Sequence, residues 1–131
     1  MRILITGGSG FIGSHLTRWF LQRGDQVIVV DDLSTGKAVN LAEVAHHPQL
    51  EILHADLANP ALVRELCGRV DAVYHLAAAV GVALIAKHPI ETIHRNIYPT
   101  QLLLDELRSL HAQGRSVPLF LASTSEVYGK N

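Results

Sequence analysis

The sequence has one cysteine, no excess of either charge and no long apolar run, and each absence excludes a class of protein. Cys67 has no partner cysteine, so no disulfide can form within the chain, and a reducing compartment fits. Its neighbours Leu66, Gly68 and Arg69 show no metal-ligand spacing, so Cys67 is expected to be a small buried hydrophobe near a helix end. Lys and Arg number 11 against 12 Asp and Glu, for a net charge of −1. That balance offers no field to the phosphates of a nucleic acid. The first apolar run, Ile3–Leu4–Ile5, is stopped at once by Thr6–Gly7–Gly8. A secretory core needs roughly seven apolar residues and a membrane span about twenty. Neither a nucleic-acid nor a membrane partner is expected, and the expected location is cytoplasmic. There is no repeat, linker or low-complexity stretch, so the 131 residues are expected to form one domain.

What is present is alternation. Five apolar runs stand out: Ile3–Thr6, Gln26–Val30, Glu51–His54, Asp71–Leu76 and Pro118–Ala122. Most are rich in Val, Ile or Leu without clean period-two patterning, as suits strands buried on both faces of a parallel sheet. Segments with helical spacing lie between them. Ile12, Leu16, Trp19 and Phe20 are expected to form the apolar face of a first helix that ends at Gly24. Leu62, Val63 and Leu66 mark a short helix after Pro60, and Ile93, Ile97, Leu103, Leu104, Leu107 and Leu110 a longer one. Pro99 lies inside the longer pattern, where a kink or a fresh start is expected. The order β-α-β-α-β-α-β-α-β predicts an α/β fold, a doubly wound parallel sheet. Its five strands are expected in the Rossmann order 3-2-1-4-5.

The strongest local signal is Thr6-Gly7-Gly8-Ser9-Gly10-Phe11-Ile12-Gly13. Gly7, Gly10 and Gly13 fall between a predicted strand and a predicted helix. There a tight turn, close backbone approach to a pyrophosphate and close helix packing each call for glycine. The free amides and positive end of the helix then face phosphate. Asp31 closes the second strand at the distance expected of a ribose acid, with Asp32 beside it as a competitor for the role. A carboxylate there accepts from both ribose hydroxyls and repels a 2′-phosphate, so NAD is expected rather than NADP. Only Lys37 in the following segment can reach a phosphate.

Taken together, the motifs resemble the extended short-chain dehydrogenase/reductase superfamily, and within it the NAD-dependent nucleotide-sugar epimerase/dehydratase family. TGGSGFIG is similar to that family's glycine loop, Asp31-Asp32-Leu33-Ser34-Thr35-Gly36-Lys37 to its adenosine-ribose segment, and Asp56-Leu57 to its adenine-edge pair. His75-Leu76-Ala77-Ala78 resembles the segment lying against the cofactor, Asn96 the helix asparagine, and Ser123–Gly129 the active-site segment. The resemblance implies an NAD site containing Gly7, Gly10, Phe11, Ile12, Gly13, Asp31, Asp32, Lys37, Asp56, Leu57, Leu76, Ala77, Ala78 and Asn96. It implies a UDP-sugar or related nucleotide-sugar substrate, oxidised transiently at a hydroxyl that Thr124 would bond, and a homodimer for the full-length protein. Thr124-Ser125-Glu126 looks most like UDP-glucuronate decarboxylases, with Ser125 and Glu126 flanking the sugar. A UDP-sugar 4-epimerase is the alternative reaction, and a non-catalytic dinucleotide-binding module the alternative class.

Two departures from the family stand out. Pro99 replaces its usual glycine, and no Tyr-x-x-x-Lys pair occurs: Tyr74 is followed four residues on by Ala78, Tyr98 by Leu102, and Tyr128 by only three residues. Residues 1–131 are therefore expected to be an N-terminal NAD-binding portion, without the catalytic helix and sugar-binding domain, and inactive alone. No metal site is expected. His46 and His47 are adjacent, and His75, His88 and His94 do not complete a ligand set.

Overall fold

The computed structural model describes residues 1–79, 86–123, 127 and 129. The elements are β1 (Arg2–Thr6), α1 (Phe11–Gln22), β2 (Gln26–Asp31), a 3₁₀ helix (Ala38–Val44), β3 (Leu50–His54), α2 (Pro60–Arg69), β4 (Ala72–His75), α3 (Pro89–Ala112) and β5 (Leu119–Leu121). The strands form one sheet in the expected order β3-β2-β1-β4-β5, every neighbouring pair parallel. β4 and β5 are each one residue shorter at either end than the apolar runs suggested. The crossover from β2 to β3 carries a 3₁₀ helix, not the α-helix of the predicted alternation.

Both faces are covered over the central strands β1 and β2, which is why these read as continuous apolar runs, whereas Phe120 and Leu121 of the edge strand β5 are exposed. Leu4, Ile28, Val30 and Val73 face α2 and α3 and pack with Leu66, Leu103 and Leu107. Ile3, Ile5, Val27 and Val29 face the other way, onto Phe20 and Leu21 of α1 and Leu41 of the 3₁₀ helix. Cys67 lies fully buried near the end of α2, and burial pushes its thiol up to about 11.

The helices differ from their sequence patterns in instructive ways. α1 buries Gly13, Ser14, Thr17, Phe20 and Leu21, whereas Ile12 and Trp19 are exposed. The buried hydroxyls are satisfied within the helix, Thr17 Oγ1 donating to the Gly13 carbonyl at 2.8 Å and Ser14 Oγ to the Phe11 carbonyl at 3.0 Å. Small residues are needed here because the start of α1 lies so close to the preceding loop. α3 runs unbroken through Pro99, with no fresh start. Its C-terminal half is anchored by buried Leu103, Leu107 and Leu110, while Ile93, Ile97 and Leu104 stay exposed. Its N-terminal half is tied to β4 by side-chain bonds, so the carbonyl bond that proline removes is not decisive.

Candidate functional site

β1 is the central strand, with β2 on one side and β4 on the other. That reversal of strand order opens a crevice beyond the carboxyl ends of the strands. The glycine loop leaves β1 at this point. Gly7 has φ +69° and donates its amide to the Val30 carbonyl at 2.8 Å. A Cβ on Gly7 would lie 2.8 Å from the Ala77 nitrogen, and one on Gly13 would lie 2.3 Å from the Gly7 carbonyl oxygen. Gly10 differs: among the described residues its Cβ would meet only the Gly7 oxygen, at 3.2 Å. Protein packing thus demands glycine at Gly7 and Gly13, while the outer side of Gly10 is left open.

Gly10 is also the N-cap of α1. No side chain caps the helix, and its first turn carries no acidic residue. The first helical bond runs from the Ser14 amide to the Gly10 carbonyl, at 3.0 Å. The amides of Phe11, Ile12 and Gly13 therefore have no intrahelical acceptor, and they sit at the positive end of the helix. Phe11 is 78% and Ile12 66% exposed, so two large apolar side chains flank this turn uncovered.

The end of β2 is fastened to the same loop. Asp31 is buried, and its Oδ2 accepts the Ser9 amide at 2.9 Å while Oδ1 accepts the Leu33 amide at 2.8 Å. The Ser9 carbonyl in turn accepts from the Lys37 amide at 3.0 Å and from Asn40 Nδ2 at 2.7 Å. A carboxylate has about four acceptor positions, so about two remain on Asp31 among the described residues. Asp32 has different partners. It accepts from the Ser34 amide at 2.9 Å and hydroxyl at 2.6 Å and lies 3.8 Å from Arg95 of α3. Burial works against its charge, but the bonds from Ser34 and the charge of Arg95 outweigh it and hold the carboxyl below its ordinary range. Lys37 is exposed. Asp56 is exposed and accepts the Ala58 amide at 2.8 Å, whereas Leu57 is drawn into the core. The Ala55 amide reaches the Asp31 carbonyl at 3.2 Å, which sets this segment beside the end of β2.

The segment after β4 closes the other side. Thr6 Oγ1 accepts the Leu76 and Ala77 amides, both at 3.1 Å. With both lone pairs engaged, its proton goes to His75 Nδ1, at 2.6 Å. His75 Nε2–H then donates to Thr100 Oγ1 at 3.0 Å, and that hydroxyl donates to the Asn96 carbonyl at 2.8 Å. The Asn96 side chain grips the main chain of Ala79, accepting its amide at 2.6 Å and donating to its carbonyl at 3.1 Å. Ala78, between these anchors, is exposed. The structure therefore gathers Gly7, Gly10, Gly13, Asp31, Leu76, Ala77 and Asn96 through direct bonds or contacts. Thr124, Ser125 and Glu126 lie outside the described residues. Sequence reasoning missed Thr6, Thr100 and Arg95, whose partners are distant along the chain. Among the described residues no three His, Cys, Asp or Glu side chains gather to hold a metal ion, and no helix is long and apolar enough to cross a membrane.

Burial lowers the His75 pKa to about 4, so the ring is neutral in the folded chain at neutral pH. In the unfolded chain it titrates near 6.5. Stability from this group is present above the unfolded value and is lost as pH falls from about 6.5 towards 4, by up to about 3 kcal/mol. Urea unfolding at pH 7.5 and pH 5 is expected to show this loss. In His75→Gln the slope between the two pH values should flatten; an unchanged slope would remove His75 as its source.

Residues 4–131 match the family model for GDP-mannose 4,6 dehydratase. The chain belongs to that family. Among curated proteins, UDP-glucuronic acid decarboxylase 1 of Arabidopsis thaliana is 37% identical over 129 residues, covering 98% of this chain and 27% of that protein. The similarly described protein of Danio rerio is 38% identical over 128 residues, covering 98% of this chain and 28% of the relative. Among solved structures, the double mutant of the dTDP-glucose 4,6-dehydratase DesIV from Streptomyces venezuelae, with NAD and DAU bound, superposes with a TM-score of 0.86 at 35% identity. That match covers 100% of this chain and 42% of the other. The UDP-N-acetylglucosamine 4-epimerase of Methanobrevibacter ruminantium M1, in complex with UDP-N-acetylmuramic acid, gives 0.86 at 31% identity and covers 99% and 40%. The chain thus spans between a quarter and a half of the length of each of these family relatives. The epimerase/dehydratase resemblance and the likeness to UDP-glucuronate decarboxylases, both expected from the motifs, are borne out.

Proposed function

We propose that this chain supplies the NAD-binding framework of an enzyme that modifies a nucleotide sugar by transient oxidation of a sugar hydroxyl. UDP-glucuronate is the favoured substrate and decarboxylation the favoured reaction. The observation that carries the reading is the Asp31 carboxylate, buried at the end of β2, bonded to the glycine loop through Ser9 and holding acceptor capacity unused among the described residues. The residues fit the cofactor. The open side of Gly10 admits a pyrophosphate, the uncapped amides of Phe11, Ile12 and Gly13 face it, and Asp31 accepts from ribose hydroxyls. When bound, NAD supplies a hydride acceptor. Thr124 would hold the reacting sugar hydroxyl, with Ser125 and Glu126 beside it. The choice of decarboxylation rests on that triplet and on the Arabidopsis and Danio relatives.

Asp31→Ala is expected to weaken NAD binding by about ten- to a hundredfold, the loss of a charge-assisted hydrogen bond of about 1.5–3 kcal/mol. It should also narrow the preference over NADP, because the charge that repels a 2′-phosphate is gone. Titration calorimetry measures both. Equal affinity of the unmutated chain for NAD and NADP would overturn the ribose assignment.

A further inference from the structure

The segment from Asp32 to Lys37 folds back over the Asp31 carboxylate, and Gly36 is the point of contact. A Cβ on Gly36 would lie 2.9 Å from both Oδ1 and Oδ2 and 3.1 Å from Cγ. Gly36 is not among the glycines with positive φ, so its backbone alone does not require glycine. The obstacle to a side chain is the carboxylate itself. That carboxylate cannot step aside freely: it is buried, and each oxygen is held by a main-chain amide, Ser9 on one and Leu33 on the other. Leu33 has φ 59°, in the left-handed region a leucine seldom adopts, so the turn that delivers its amide is itself constrained. Next to Gly36, the Lys37 amide bonds the Ser9 carbonyl and closes the segment onto the glycine loop.

We propose that Gly36 is a specificity-determining position. Lacking a side chain, it lets the 32–37 segment close over Asp31 and keeps the carboxylate turned to receive ribose hydroxyls rather than a 2′-phosphate. The inference rests on the NAD reading above. Any side chain at this position displaces the carboxylate from one of its two amides or lifts the segment away from the glycine loop. In either case the ribose end of the site loses definition while the pyrophosphate end, built from Gly10 and the start of α1, is untouched.

The test is a double-mutant cycle on the 131-residue chain with Gly36→Ala, Asp31→Ala and both together, reading NAD and NADP affinity by calorimetry and unfolding by urea. Gly36→Ala is expected to weaken NAD roughly tenfold and to shrink the NAD-to-NADP ratio by a similar factor, the equivalent of one charge-assisted hydrogen bond. In the Asp31→Ala background the same change should do nothing further, since the atoms its methyl would strike are gone. An unchanged ratio in Gly36→Ala, or an equal loss in both backgrounds, overturns the proposal. If Gly36→Ala does not fold, the double variant should fold again; a double variant that also stays unfolded overturns it too. An unmutated chain without preference for NAD would instead defeat the cofactor reading, so the two failures are distinguishable.

Discussion

Gly13→Ala is expected to destabilise the fold by about 3 kcal/mol or more, at or above the upper end of ordinary overpacking. The new methyl would lie 2.3 Å from the Gly7 carbonyl oxygen and 2.7 Å from the Gly8 Cα, and both are backbone atoms. Relief requires moving α1 off the loop, and with it the buried Thr17, Phe20 and Leu21. Against a total stability of about 5–15 kcal/mol for a typical domain, that is a large fraction. Gly10→Val provides the contrast. Among the described residues its Cβ would meet only the Gly7 oxygen, at 3.2 Å, so the fold should lose only about 1 kcal/mol, typical of a changed N-cap, while NAD binding should be abolished by the blocked pyrophosphate approach. Urea melts and calorimetry on both variants decide the matter. A Gly13→Ala chain as stable as the unmutated one would refute the close packing of α1 on the loop, and a Gly10→Val chain that binds NAD normally would refute the phosphate assignment.

The second large effect concerns turnover. The 131-residue chain, given NAD with UDP-glucuronate, UDP-glucose or dTDP-glucose, is expected to release no modified sugar. Oxidation of a sugar hydroxyl needs a group to take its proton, and Tyr74 and Tyr98 are followed four residues on by Ala78 and Leu102, not by lysine. General-base catalysis is typically worth about 10²–10⁴-fold. Orientation of the sugar in a closed pocket contributes on the order of 7–11 kcal/mol in well-oriented systems. Mass spectrometry of the products after long incubation is the measurement. Turnover above the buffer rate would place the base among these residues and defeat the expectation drawn from the family. In a longer, active form, Thr124→Ala should cut turnover strongly while leaving NAD bound.

The glycine loop was legible because its spacing is imposed by backbone geometry, which the sequence must obey locally. The parallel, doubly wound sheet followed from the alternation of apolar runs and helical segments. The buried face of α1 was not legible. Thr17 and Ser14 count as polar in any periodicity, yet they bond their own helix and can be buried, while apolar Ile12 is left outside. Gly36 was invisible for another reason: the atoms that forbid a side chain there belong to Asp31, which meets it only once the segment has folded back. The same holds for His75, whose partners lie 69 residues earlier at Thr6 and 25 later at Thr100. The sequence preferred Asp31 to Asp32 by its place at the end of the strand alone; their separate partners, Ser9 on the glycine loop and Arg95 on α3, tell them apart physically.

The central position of β1 also sets an order of events during synthesis. Its pairing with β2 joins Arg2 to Gln26, a separation that a growing chain closes early, whereas its other edge pairs Ile3 with Ala72. At about 5–20 residues per second, that second edge stays unpaired for several seconds after the first is satisfied. Leu4 and Ile5, fully buried in the finished sheet, belong during that interval to a strand with one open side. Such an open strand edge is a site for pairing with other chains. The glycine turn after β1 is therefore half assembled long before its remaining wall, Leu76 and Ala77, has left the ribosome.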